Sequence, residues 1–156
     1  MNATSQAPTA QQMEHFLTSL YGLDIKVEDT PCLPPDQVYA VAEYISPGHE
    51  TKAFIACDLQ AAAKLGAALA LVPMGAVNDS LKAKKLEENL MANLNEGFNI
   101  FVNLMPEHFD QRFVLNEVHT ENAKEIYSTQ IKQSKTHAFK MNIQRYGDGV
   151  MAFLLR

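Results

Sequence analysis

A chain of 156 residues with 47% hydrophobic and 20% charged residues has the length and composition of one globular domain with a sizeable apolar core. Its net charge of −5 argues against nucleic acid and against anionic membrane surfaces as partners. No apolar run reaches the roughly 20 residues of a membrane helix, and residues 1–12 lack the basic start and apolar stretch of a secretory signal, so the cytoplasm is the expected location.

Residues 1–9 are polar and small and read as a disordered tail, leaving 10–156 as a single domain. Met13, Phe16, Leu17, Leu20 and Tyr21 follow the i, i+3, i+4, i+7, i+8 spacing of one buried face, which predicts a helix over 10–21 stopped by Gly22. Residues 23–28 alternate apolar and polar, as a half-buried strand does. After the irregular stretch marked by Pro31, Pro34 and Pro35, strands are predicted over 37–45 and 51–57, joined by the turn Ser46-Pro47-Gly48. Asp58 is placed to cap a small-residue helix over 59–72, which Pro73 and Gly75 end.

Asp79 or Ser80 could cap a long helix in which Leu86, Leu90, Leu94, Phe98, Phe101 and Met105 recur at spacings of three and four, with Pro106 closing it. Strands are predicted over 112–119, 135–146 and 150–155, the last two joined by Gly147-Asp148-Gly149. Residues 121–132 are ambiguous. Helices interleaved with hairpin-linked strands predict an α+β fold, with two to three helices packed on an antiparallel sheet.

Metal and nucleophile chemistry find little support. His15, His49, His108, His119 and His137 show no paired i, i+4 spacing, so no metal site is predicted. Cys32 and Cys57 form no CxxC and read as reduced structural thiols. No Gly-rich phosphate loop or serine nucleophile elbow is present.

The run Leu90-Met91-Ala92-Asn93-Leu94-Asn95-Glu96-Gly97 resembles the signature helix of the CheC/CheX family of chemotaxis phosphatases, whose core reads Glu-x-x-Asn-x-x-x-Gly. Asn93 and Gly97 match, while Leu90 stands where the family has its acid. Three further segments are similar in order and length: residues 13–27 to the family's opening helix and first strand, 54–73 to a strand and small-residue helix, and 145–149 to the turn of a C-terminal strand pair.

The resemblance implies two-component signalling and a CheY-type response regulator as partner. It also implies a homodimer formed by strand pairing. Asn93 would be the catalytic residue, orienting water for in-line attack on an aspartyl phosphate, with Leu90, Gly97 and Glu96 as partner-binding residues. No cofactor of its own is implied, since Mg²⁺ would come from the regulator and the phosphatase contributes orientation.

The residues agree in part. Positions 90, 93 and 97 share one helix face, and the Asn93 amide both donates and accepts. Leu90 cannot pair with a lysine, a loss of roughly 1.5–3 kcal/mol, and it also falls on the apolar spacing of a core residue. Glu96 supplies an acid three residues after Asn93, in reversed order. The alternative function is a non-catalytic docking or scaffold protein on the same fold, binding a response regulator or a flagellar switch component.

Overall fold

The computed structural model describes residues 7–46, 48, 51–104 and 113–155. Helix α1 spans Ala10–Tyr21, as its periodicity predicts. It opens on a capping box, with the Thr9 hydroxyl accepting from the Gln12 N–H and the Gln12 side chain accepting from Thr9 N–H. Gly22 closes it at φ 68°. Of the tail expected over 1–9, residues 1–6 lie outside the described residues, whereas Pro8 is buried and Thr9 is the cap.

Strand β1, Ile25–Thr30, sits two residues later than predicted. It is an edge strand, and α1 takes up part of its outer backbone. The Val27 N–H donates to the Glu14 carboxylate at 2.9 Å, and the Thr18 hydroxyl bonds both the N–H and the carbonyl of Ile25. Glu14, which a surface reading would leave in water, therefore covers a strand edge.

Strands β2 (Val38–Ser46) and β3 (Thr51–Asp58) pair antiparallel, and α2 (Leu59–Leu69) follows at once. Gly48 of their turn has φ 82°, while Pro47 lies outside the described residues. Asp58 caps α2 as predicted, its carboxylate accepting from Ala61 N–H at 2.8 Å and from Val150 N–H at 3.2 Å. Every residue of α2 from Ala61 to Ala68 is buried, which makes it the central helix of the molecule.

The long helix predicted after it is two helices. Helix α2 ends at Leu69, three residues before the predicted end, with Leu71 at φ 52°, and Pro73 and Gly75 instead open α3 (Met74–Ala83); Lys84, at φ 56°, breaks the chain before α4 (Glu88–Ile100). Ser80 sits inside α3 instead of capping the long helix, and its hydroxyl accepts from the Glu87 N–H across the break. A 3₁₀ turn over Phe101–Leu104 extends α4; Met105 and Pro106 lie outside the described residues.

Strand β4 spans Val114–His119, with Arg112 of the predicted strand outside the described residues. The ambiguous segment holds a fifth helix, α5 (Ala123–Gln130), so the described residues contain five α-helices where two to three were predicted. The last hairpin joins β5 (Lys135–Ile143) to β6 (Gly147–Leu155). Its turn is Gln144-Arg145-Tyr146, with Arg145 at φ 78°, and not the predicted Gly147-Asp148-Gly149. Those glycines belong to the strand: a Cβ on Gly149 would lie 2.6 Å from the Ala61 Cα, so glycine there lets α2 rest on the sheet.

All six strands form one antiparallel sheet in the order β1-β5-β6-β3-β2-β4. One face carries α1, α2 and α4 over a core that includes Ala40, Ala42, Tyr44, Ile55, Met151 and Phe153. The other carries α5 over Val41, Phe54, Ala56, Ala152 and Leu154. The α+β class thus holds, with helices on both faces.

Candidate functional site

Helix α4 is seated by its apolar stripe. Leu90, Leu94, Phe98 and Phe101 are buried to 1% exposure or less, at the spacing of one helix face. Its closest neighbour is α2, and the contact is backbone on backbone: a Cβ on Gly66 would lie 2.5 Å from the Leu90 carbonyl oxygen. Two glycines permit the seating, since Gly97 has the Tyr21 hydroxyl 3.2 Å from where its own Cβ would be.

The residues singled out from the sequence fall on different sides of this helix. Leu90 and Gly97 are buried and face α2 and α1, which leaves no side-chain surface for a partner at either. Asn93 is half-buried, and its amide donates to the Gly66 carbonyl at 3.0 Å. It therefore ties α4 to α2. Glu96 is exposed.

An acid–amide pair in the order of the CheC/CheX signature lies six residues further on. Glu96-Gly97-Phe98-Asn99 places a carboxylate and an amide one turn apart, and both residues are exposed. Ala92, Glu96, Asn99 and Asn103 form a continuous exposed line along α4 and its 3₁₀ extension. Asn103 stands where the signature glycine would fall, and its amide donates to the Ile100 carbonyl at 3.0 Å, closing the end of α4. Anchoring the sequence reading on Asn93 and Gly97 hid this pair. The signal was the Glu-x-x-Asn order itself, searched along the whole helix.

The electrostatics of the face are one-sided. No lysine or arginine occurs from Leu86 to Gln111, while Glu87, Glu88 and Glu96 are exposed. A carboxylate here suits a cationic group on a partner, and the Asn99 amide can donate to and accept from one water at once.

Several titratable groups elsewhere tie strands and helices together. His119 bonds Glu43 at 3.1 Å across β4 and β2, and Lys64, buried in α2, donates to the Asp148 carbonyl at 2.7 Å. Burial lowers the Lys64 pKa and raises that of Asp58. Both cysteines are free thiols, Cys57 buried and Cys32 exposed. Among the described residues no cluster of three His, Cys, Asp or Glu could hold a metal, and no helix is long and apolar enough to cross a membrane. His49 and His108 lie outside the described residues.

No protein-family model matches the sequence, and no curated protein matches it. Solved structures do match. The chain is similar to one from the FliM–SpeE complex of H. pylori, with a TM-score of 0.64 and 9% identity over 94% of this chain and 80% of that one. It is similar to the FliM middle domain from H. pylori, with a TM-score of 0.58 and 8% identity over 94% and 84%. A chain of the CheX–CheY–BeF3–Mg²⁺ complex from Borrelia burgdorferi matches with a TM-score of 0.50 and 10% identity over 91% of each. These likenesses are of fold: the chain shares its fold with CheX and with the FliM middle domain.

Proposed function

We propose that this chain acts on the aspartyl phosphate of a CheY-type response regulator, with Glu96 and Asn99 of α4 as its working pair. The observation that carries the reading is the exposed Glu96-x-x-Asn99 turn on an otherwise tightly seated helix. Glu96 would pair with a cation of the regulator and set the register of docking. Asn99 would hold a water in line with the phosphorus. Mg²⁺ and most of the charge stabilisation belong to the regulator, so the contribution of this chain is orientation. The fold is that of the CheX crystallised with CheY, which supports the choice of partner class.

A second reading, docking to a regulator or switch component without hydrolysis, has its own support. The fold likeness to FliM structures reaches a TM-score of 0.64, and Asn103 replaces the glycine of the signature. The test is the dephosphorylation rate of Mg²⁺-loaded phosphorylated regulators with wild-type protein, Asn99→Ala and Asn93→Ala. Acceleration lost in Asn99→Ala and kept in Asn93→Ala supports the pair at 96 and 99. Acceleration lost only in Asn93→Ala would transfer the role to the earlier amide. Binding with no acceleration by the wild type would establish the docking reading.

A further inference from the structure

We infer that the buried hydroxyl of Tyr44 is a positioning group for Asn99, an inference that rests on the function proposed for that residue. Tyr44 lies in β2, on the sheet face beneath the helices, and is fully buried. Its neighbours on that face, Ala40 and Ala42, are small and let α2 lie close, whereas the tyrosine ring reaches past them to α4. There its hydroxyl donates to the Phe98 carbonyl at 2.5 Å.

That carbonyl belongs to the peptide unit whose nitrogen is Asn99's, so the bond fixes the plane from which the Asn99 side chain departs. The constraint falls where the ladder changes. Phe101 still donates to Gly97 in the α pattern, and the 3₁₀ turn begins at Phe101. A helix end of this kind frays when its carbonyls lack fixed partners. Here several groups hold it from below and beside: Tyr44 on Phe98, the Tyr21 hydroxyl over Gly97, the Asn103 amide on Ile100, and the Phe101 ring edge-on to both Phe16 and Phe98 at 6.2 and 6.0 Å. Among the described residues Tyr44 alone bonds from the sheet to the Asn99 peptide unit, so the sheet sets the aim of the amide.

The test compares Tyr44→Phe with Tyr127→Phe in the full chain. Tyr127 also donates a buried hydroxyl to a carbonyl, that of Leu33 at 2.8 Å, but in the core on the opposite face of the sheet. Tyr44→Phe should lower turnover of a Mg²⁺-phosphorylated CheY-type regulator about tenfold, with KM unchanged, by misaiming the water-holding amide. It should also shift the NMR signals of the Asn99 side-chain amide. Tyr127→Phe should do neither.

Turnover and Asn99 signals equal to wild type in Tyr44→Phe would overturn the inference and leave the proposed function standing. If the wild-type chain accelerates no regulator, the proposed function falls, and the Asn99 signals alone decide about Tyr44. Should Tyr44→Phe fail to fold, the wild type still decides: its Tyr44 hydroxyl proton should exchange slowly and lie close to the Asn99 Cα proton, whose carbon is cis to the Phe98 oxygen. A fast-exchanging hydroxyl would sink the inference.

Discussion

The Asn93 amide reaches the Gly66 carbonyl because Gly66 lies against the Leu90 backbone, one turn before Asn93 on the same helix. One side chain thus clamps the two helices at the point where their backbones touch. Removing it in Asn93→Ala leaves a half-buried carbonyl without its donor, at a cost of about 1–3 kcal/mol. Urea unfolding should register that loss while dephosphorylation stays within about threefold of wild type. A stable Asn93→Ala protein with no activity would reverse the assignment.

Gly66→Ala attacks the same contact from the other helix. The new Cβ would meet the Leu90 oxygen at 2.5 Å, and neither backbone can yield without moving a helix. We expect a destabilisation of about 1–3 kcal/mol or more, read as a lowered Tm. An unchanged Tm would mean that α4 slides freely on α2.

Glu96→Gln keeps the shape of the side chain and removes its charge. Regulator binding should weaken by about one to two decades, the equivalent of roughly 1.5–3 kcal/mol. The wild-type affinity should fall with added salt more steeply than that of the variant. Parallel salt curves would place the docking contact elsewhere on the surface.

Alkaline stability follows from Tyr127. Burial pushes its pKa from 10.0 up to about 12. Above pH 10 the unfolded chain gives up this proton while the folded chain keeps it. The group's stabilising share is therefore intact below pH 10 and declines by about 1.4 kcal/mol per unit between 10 and 12. In Tyr127→Phe the fall in unfolding free energy between pH 10 and 12 should be shallower than in wild type. Identical slopes would show that this hydroxyl titrates freely.

Lys64 works in the opposite direction. Burial lowers its pKa from 10.5, so the unfolded chain holds the proton more tightly and stability gains from this group as pH rises towards 10.5. Lys64→Met keeps the apolar stem within α2 and should remove that gain, flattening the rise in stability on the approach to pH 10.5. A profile that keeps its wild-type slope would contradict a desolvated ammonium at this position.

Much of the sheet and its central helix was legible because local chemistry and tertiary packing agree there. Helix α1 has its periodicity, its Thr9 cap and its Gly22 stop; α2 has Asp58 and a run of small residues that only close packing explains. The break at Lys84 was not legible, because a lysine in the left-handed region carries no glycine signal and the leucine spacing starts only beyond it, at Leu86. Helix α5 buries only Ala123 and Tyr127, too thin a stripe to declare a period. At the last hairpin, two glycines signalled a turn but serve a helix pressing on a strand. At the candidate site packing and motif overlap in the same way. Gly97 fits the spacing of a motif and also seats α4 under Tyr21. The exposed acid and amide stand on either side of Gly97 and Phe98, the pair that packs inward.

The side chains of Glu14 and Thr18 on the outer backbone of β1 bear on how copies of this molecule could join. An open-ended array of sheets needs two free edges per molecule, one to receive a strand and one to offer it. The groups of Ile25 and Val27 that α1 takes up are not open to an added strand, which disfavours pairing through this part of β1. A union made through β4 alone would use the same edge in both partners and so would close at two copies.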